Sequence, residues 1–477
     1  MITRVAPSLV KLVKQSGLLI PAIVGSALFM QTLDATIVAN ALPTMARDLH
    51  EDSLRLNLAI SCYFLSSAMF VPLSGWMADR FGARRVLIAA IAMFTVSSLL
   101  CGISQTLLQL ISARILQGMA GAMMVPVGRL LVLKTAPKSQ LMRATAVLTM
   151  PALLGPMLGP VVGGFIVTVA DWRWIFYLNI PIGVLGLALV TVFIPNVAES
   201  QAQRLDTRGF ILVAIGLAGV VFGMENAASG AIPLSTSVAL TVVGGICLWM
   251  YWVHARRRTH AIVNLSLLNI PTYRAALMGG AFTRLVLGAS PFLLALLLQV
   301  VFGLSALTAG LMTFTSAAGA LFMKTTAPPI IRRFGFRRVL VANSLTTGGV
   351  LMCYSLLTDV TPYAVVIAVL FSAGFFRSLQ FTALGAMAFS DIPSSQMSGA
   401  SSFSSMGQQL SQAMGVAVSA AVLYLMHRAS GSAQLTVHEV APAFIVVGLL
   451  SLLSLCFFTQ LPEDAGAEVS GYRPSSG

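Results

Sequence analysis

Apolar residues recur along this sequence in runs of about twenty, separated by short polar joints. A helix of that length crosses the roughly 30 Å hydrocarbon core of a bilayer and satisfies its own backbone there. Fourteen such runs can be read, at 18–43, 54–77, 86–105, 107–129, 143–169, 174–195, 208–228, 234–253, 274–299, 305–327, 339–358, 362–390, 399–426 and 441–461. The 477 residues are 57% hydrophobic and 9% charged, against about 25% charged in a soluble domain. No soluble interior of this size would hold so much apolar side chain. Continuous runs, rather than alternation with period two, exclude a membrane β-barrel. The expected class is an all-α polytopic membrane protein. The first run is too long for a signal peptide and no cleavage site follows it, so it is read as a span.

The formal net charge of +14 has a topological reading. With both termini cytoplasmic, the clusters Arg80/Arg84/Arg85, Arg256/Arg257/Arg258 and Arg332/Arg333/Arg337/Arg338 fall on the inner side. The outer loops hold only Arg47, Arg55, Arg173 and Arg428. This is the positive-inside pattern, and it supports an even number of spans. The basic balance therefore points to the lipid bilayer as partner and away from nucleic acid. Cys62, Cys101, Cys247, Cys353 and Cys456 have no metal-clip or redox spacing. None of the five lysines sits in a P-loop, so ATP hydrolysis by this chain is not expected, nor is any cofactor or enzymatic activity.

The chain repeats itself. Asp79-Arg80-Phe81-Gly82-Ala83-Arg84-Arg85-Val86-Leu87 returns as Arg332-Arg333-Phe334-Gly335-Phe336-Arg337-Arg338-Val339-Leu340. Arg114-Ile115-Leu116-Gln117 returns as Arg377-Ser378-Leu379-Gln380, and Pro137-Lys138-Ser139-Gln140 as Pro393-Ser394-Ser395-Gln396. The offsets are 253, 263 and 256 residues, in the same order, which argues for duplication. Two halves of like topology are the plan of major facilitator transporters. The expected organisation is a six-helix bundle over 1–195, two additional central helices over 196–260 flanking the core, and a second six-helix bundle over 261–477.

Four stretches resemble the fourteen-span drug:proton antiporters of the major facilitator superfamily. Leu33-Asp34-Ala35-Thr36-Ile37-Val38-Ala39-Asn40-Ala41-Leu42-Pro43 is similar to that subfamily's first-span signature. The stretch from Gly75 to Arg85 resembles the superfamily's loop motif between spans two and three. Gly155-Pro156-Met157-Leu158-Gly159-Pro160, with Gly163 and Gly164, resembles the antiporter motif of span five. Trp172-Arg173-Trp174-Ile175-Phe176, with Asn179 and Pro181, resembles the fourteen-span subfamily again. The resemblance implies a proton-coupled exporter, with Gly155–Gly164 associated with exchange and Arg114 with control of a neighbouring acid's proton.

The residues support their own reading. Gly75 and Gly82 bracket a tight loop where helices are expected to approach closely. Asp79 is placed to latch onto Arg80, Arg84 or Arg85, a plain topology anchor being the alternative; Arg332 and Pro328 occupy the second-half positions of Asp79 and Gly75. Gly155 to Gly164 reads as a bendable, smooth-faced span tolerated because neighbours re-satisfy its backbone. Ionised groups inside spans are costly and point to function. They are Asp34, Arg114, Arg284 and Arg377, with Glu225 near a span end. Asp34 is the one acid deep in a core span; burial disfavours a carboxylate's charge, which suits a proton carrier beside a water-accessible centre. A structural pair with Arg114 is the alternative. Gln117 and Gln380 are candidate substrate contacts. Arg377 is another, with helix pairing as the equal alternative, and so is Arg284, with a structural role as its alternative. Trp172 and Trp174 are interfacial anchors.

The expected function is secondary active export of small amphipathic compounds in exchange for protons, by alternating access, from a bacterial inner membrane and as a monomer. Three arginines against one deep aspartate favour a second reading, an exporter of an anionic metabolite or a metal–carboxylate chelate. A non-transporting receptor on the same scaffold is the third.

Overall fold

A computed structural model of the chain describes residues 18–135, 141–195, 205–229, 233–257, 261–393, 396–430, 435–470 and 472. The long apolar runs all form helices. They are α1 (Leu19–Asp48), α2 (Leu58–Phe81), α3 (Ala83–Gly102), α4 (Leu107–Thr135), α5 (Leu141–Val169), α6 (Trp174–Phe193), α7 (Thr207–Ser229) and α8 (Leu234–Arg256). The second half holds α9 (Pro271–Val301), α10 (306–334), α11 (336–353), α12 (Tyr363–Met387), α13 (Met397–Ser430) and α14 (Val437–Phe458). The fourteen sequence runs match these one for one. The Pro137–Gln140 copy lies outside the described residues, as do Ser394 and Ser395 of its repeat.

The duplication is visible in the backbone. α2 and α3 are separated by Gly82 at φ 87°, and the otherwise continuous α10 and α11 turn at Gly335 with φ 74°. Positive φ is cheap only for glycine, so the repeated Phe-Gly marks the same turn in both halves. Each half pairs its first and fifth helices, α1 with α5 and α9 with α13. The halves meet crosswise, α2 against α13 and α5 against α10. The additional helices α7 and α8 pack on each other, and α7 lies along α13 and α2. α8 leaves Val238, Val242, Ile246, Trp249 and Trp252 exposed, the apolar surface that lipid tails require.

Polar contacts tie the loops together at both ends of the helices. Asp48 Oδ2 accepts from Trp172 Nε1 and from Arg173 Nη1, both at 2.9 Å, and Arg173 Nη2 donates to the Ser104 carbonyl. At the opposite face Arg84 donates to the Thr191 carbonyl, and Glu463 faces Arg337 and Arg338 at 3.9 and 3.6 Å.

Candidate functional site

Asp34 lies midway along α1 with no exposed surface, inside the first bundle. Its Oδ2 accepts from Arg114 Nη1 of α4 at 2.6 Å. Its Oδ1 accepts from Gln117 Nε2 at 2.9 Å and from Asn179 Nδ2 of α6 at 2.8 Å. Both amides also donate to Ser98 Oγ on α3, at 2.8 and 3.2 Å. One carboxylate thus ties α1 to α4 and α6, and through the shared amides to α3. Three donors thus converge on one fully buried carboxyl group.

Arg114 is equally buried. Its Nε donates to the Ala59 carbonyl of α2 at 3.1 Å, and Nη1 is shared with Gln117 Oε1 at 2.6 Å. Its guanidinium carbon stands 4.3 Å from the Tyr63 ring centre and 5.9 Å from that of Phe176, an aromatic cradle that favours a delocalised cation. The ion pair with Arg114 is therefore present. The water-facing acid expected from the sequence is not, since Asp34 sits within a bundle and not along the gap between bundles.

Gln380, the repeat partner of Gln117, is likewise buried and held within its own half. Its Oε1 accepts from Asn343 Nδ2 at 2.8 Å and its Nε2 donates to Ser344 Oγ at 2.9 Å, both on α11. The two glutamines brace helices; in this conformation neither faces a gap. Arg377 is half-buried, and its Nη2 donates to Ser316 Oγ of α10 at 3.1 Å. Arg284 on α9 is 5% exposed, and its Nε and Nη1 have no hydrogen-bond partner among the described residues.

The glycine-rich stretch does closer packing than a bend alone requires. Within a continuous α5, a Cβ at Gly155 would lie 2.2 Å from Thr32 Oγ1, at Gly159 2.2 Å from Thr36 Oγ1, and at Gly163 2.7 Å from the Ile37 carbonyl, all on α1. At Gly164 it would meet the Ala306 carbonyl of α10 at 2.3 Å, while the Pro160 carbonyl accepts from Asn40 Nδ2 at 2.9 Å. The side chain of Pro156 is outside the described residues, as is that of Glu225. Gly75 behaves differently: a Cβ there meets nothing within 4 Å, so close approach is not what glycine provides in this conformation. Asp79 is half-buried at the end of α2, and Arg80 beside it is exposed. No described side chain forms an ion pair with Asp79.

Several polar groups escaped the sequence reading. Ser98 and Tyr63 complete the Asp34 cluster. Lys324 of α10, inside a span, donates to Thr382 Oγ1 of α12 at 3.1 Å. Arg129 near the end of α4 crosses between halves to Ser401 Oγ of α13. Lys324 and Arg129 both fall near the ends of apolar runs, where a cation reads as a boundary; their partners are far away in sequence.

The major facilitator superfamily model matches residues 24–290 and again 276–473. The chain belongs to the major facilitator superfamily. It is 38% identical over 445 residues to a Pectobacterium carotovorum protein named "Putative multidrug resistance protein MdtD", covering 93% of this chain and 95% of that one. A Yersinia enterocolitica protein of the same name is 37% identical over 456 residues, with 95% and 97% covered. Among solved structures, a D-xylose–proton symporter superposes with TM-score 0.66 at 14% identity, over 94% of this chain and 98% of that one. An auto-inhibited POT family peptide transporter superposes with TM-score 0.66 at 16% identity, over 96% and 99%. These superpositions identify the fold alone. This superfamily member is a multi-pass membrane transporter.

Proposed function

We propose that this transporter is a proton-coupled antiporter that exports small amphipathic compounds by alternating access. In this reading it resides in a bacterial inner membrane as a monomer with both termini cytoplasmic. Support comes from relatives named for multidrug resistance. The observation that carries the reading is the buried Asp34–Arg114 pair joining α1 to α4.

A proton on Asp34 removes its charge and the charge assistance of its bond to Arg114. Arg114 then keeps Gln117, the Ala59 carbonyl and the Tyr63 ring, so α4 stays anchored to α2 while α1 loosens. α1 also touches the second half, where Gln299 Nε2 of α9 donates to the Asn40 carbonyl at 3.1 Å. Loosening α1 therefore bears on a contact between bundles. A proton taken up from outside and released inside drives the cycle, and Asp79 latches the inner loop in one state of it.

Everted membrane vesicles test the reading. Uptake of amphipathic substrates should require an inside-acid gradient and should be abolished by Asp34→Asn with protein abundance unchanged. Uptake by the wild type that ignores the gradient, or full uptake by Asp34→Asn, counts against it.

A further inference from the structure

Helix α13 is unusually polar for a span. Ser401, Ser405, Gln408 and Gln412 recur at i, i+4, i+7 and i+11, and so share one face. That face looks toward the first half, because Arg129 of α4 donates to Ser401 Oγ. On it Ser405 is half-buried and Gln408 is exposed. Gln412, on the same face, is buried; an amide left open within a span is costly against lipid, which favours a watery setting for Gln408.

Helix α9 brings a cation to the same wall. The Tyr273 hydroxyl donates to the Ala400 carbonyl of α13 at 2.7 Å. A Cβ at Gly288 would lie 2.0 Å from the Gln412 carbonyl, and one at Gly407 2.9 Å from Leu277 Cδ1. Arg284 is one turn before Gly288 on the same face, and its side chain runs back to Gly280. It is flanked by wide π-helical turns at Ala275–Gly279 and Leu296–Val301, a distortion frequent at functional sites. Its Nε and Nη1 are buried without hydrogen-bond partners among the described residues. Leaving such donors unmet costs free energy that a bound acceptor would recover. Asp34 cannot serve, being already committed to Arg114.

We propose that the α9–α13 wall binds the oxygen-acceptor end of the transported compound, a carboxylate or a carbonyl, through Arg284 and Gln408. A guanidinium fork beside an amide recognises that chemistry geometrically, and offers nothing to a permanent cation. The inference rests on the exporter reading above and narrows its substrate class. Purified protein in proteoliposomes would be given carboxyfluorescein (carboxylate), chloramphenicol (neutral carbonyl) and ethidium (permanent cation). Arg284→Ala should lower transport of carboxyfluorescein about tenfold or more, with ethidium changed less than about twofold. Arg284→Lys, which keeps charge but not the fork, should fall between. Gln408→Leu should depress both acceptor-bearing probes, and it carries the test alone if Arg284→Ala does not accumulate. Selective loss of carboxyfluorescein alone assigns a carboxylate; loss of both acceptor-bearing probes assigns the shared acceptor. Equal loss of all three probes, no loss of either acceptor-bearing probe, or wild-type transport of ethidium alone overturns the inference. Wild-type protein that moves none of the three against a gradient defeats the exporter reading itself.

Discussion

Arg114 and Asp34 illustrate how much of a buried charge's worth lies in its partners. Removing one member of a buried pair leaves the other uncompensated, at a cost of about 3–5 kcal/mol. Arg114→Met should therefore destabilise the protein by about that amount, read from reversible unfolding in mixed micelles. Asp34→Asn, which leaves the Arg114 charge uncompensated but keeps one amide oxygen to accept from it, should fall at or below the lower end of that range. Equal stability of Arg114→Met and wild type would mean that the pair is idle. The sequence exposes both residues, since an ionised group in an apolar run stands out by its chemistry alone. It does not expose Ser98 or Tyr63, which are ordinary span residues until helix packing sets them beside the pair. The same limit hid Gln408, a glutamine whose meaning depends on which way its helix is turned.

At the scale of helices, α5 rides on α1 through positions that tolerate no side chain. Gly159→Val would drive a branched side chain into Thr36, and overpacking of this kind costs about 1–3 kcal/mol; a matching fall in apparent Tm is expected, with Gly75→Ala nearly neutral as a contrast. At the start of α7, Asp206 Oδ1 accepts from the Gly209 amide at 3.0 Å and pairs with His254 Nε2 at 2.8 Å. Burial opposes the Asp206 charge, but these bonds hold its carboxyl below its ordinary value of 3.8. A lowered carboxyl stabilises the fold above its ordinary value and loses that contribution as pH falls through the lowered one. Hydrogen exchange in the first turn of α7 should therefore stay protected at neutral pH and open under strong acid; Asp206→Asn should remove that acid dependence, and an unchanged acid response in the variant would contradict the assignment. Span positions were legible because hydropathy and length suffice to set them. The break between α10 and α11 was legible as the basic joint between two apolar runs, but the repeated Phe-Gly alone pointed to Gly335 as the residue that turns a helix which otherwise runs on.

For the whole molecule, the halves touch on both faces: α4 meets α13 through Arg129 and Ser401, while α1 meets α9 through Asn40 and Gln299. Alternating access requires these contacts to part in turn. In a cysteine-free background, Arg129→Cys and Ser401→Cys bridged by a short bis-methanethiosulfonate linker, which spans the length of the arginine side chain it replaces, should arrest transport until reductant releases the link. A cross-linked protein transporting at full rate would show that this contact never opens. The two-bundle plan was readable from the repeat, but contacts between bundles were not, because no local pattern in a span names its neighbour in the other half.

Proton release separates coupling through Asp34 from every structural role for it. Proteoliposomes loaded with a pH-sensitive dye, given substrate without an imposed gradient, should show proton movement opposite to substrate in the wild type. Asp34→Asn should bind substrate with near-normal affinity and move no protons. Proton movement of wild-type size in Asp34→Asn would contradict a role for the α1 carboxyl in coupling and leave the pair with Arg114 as a structural brace.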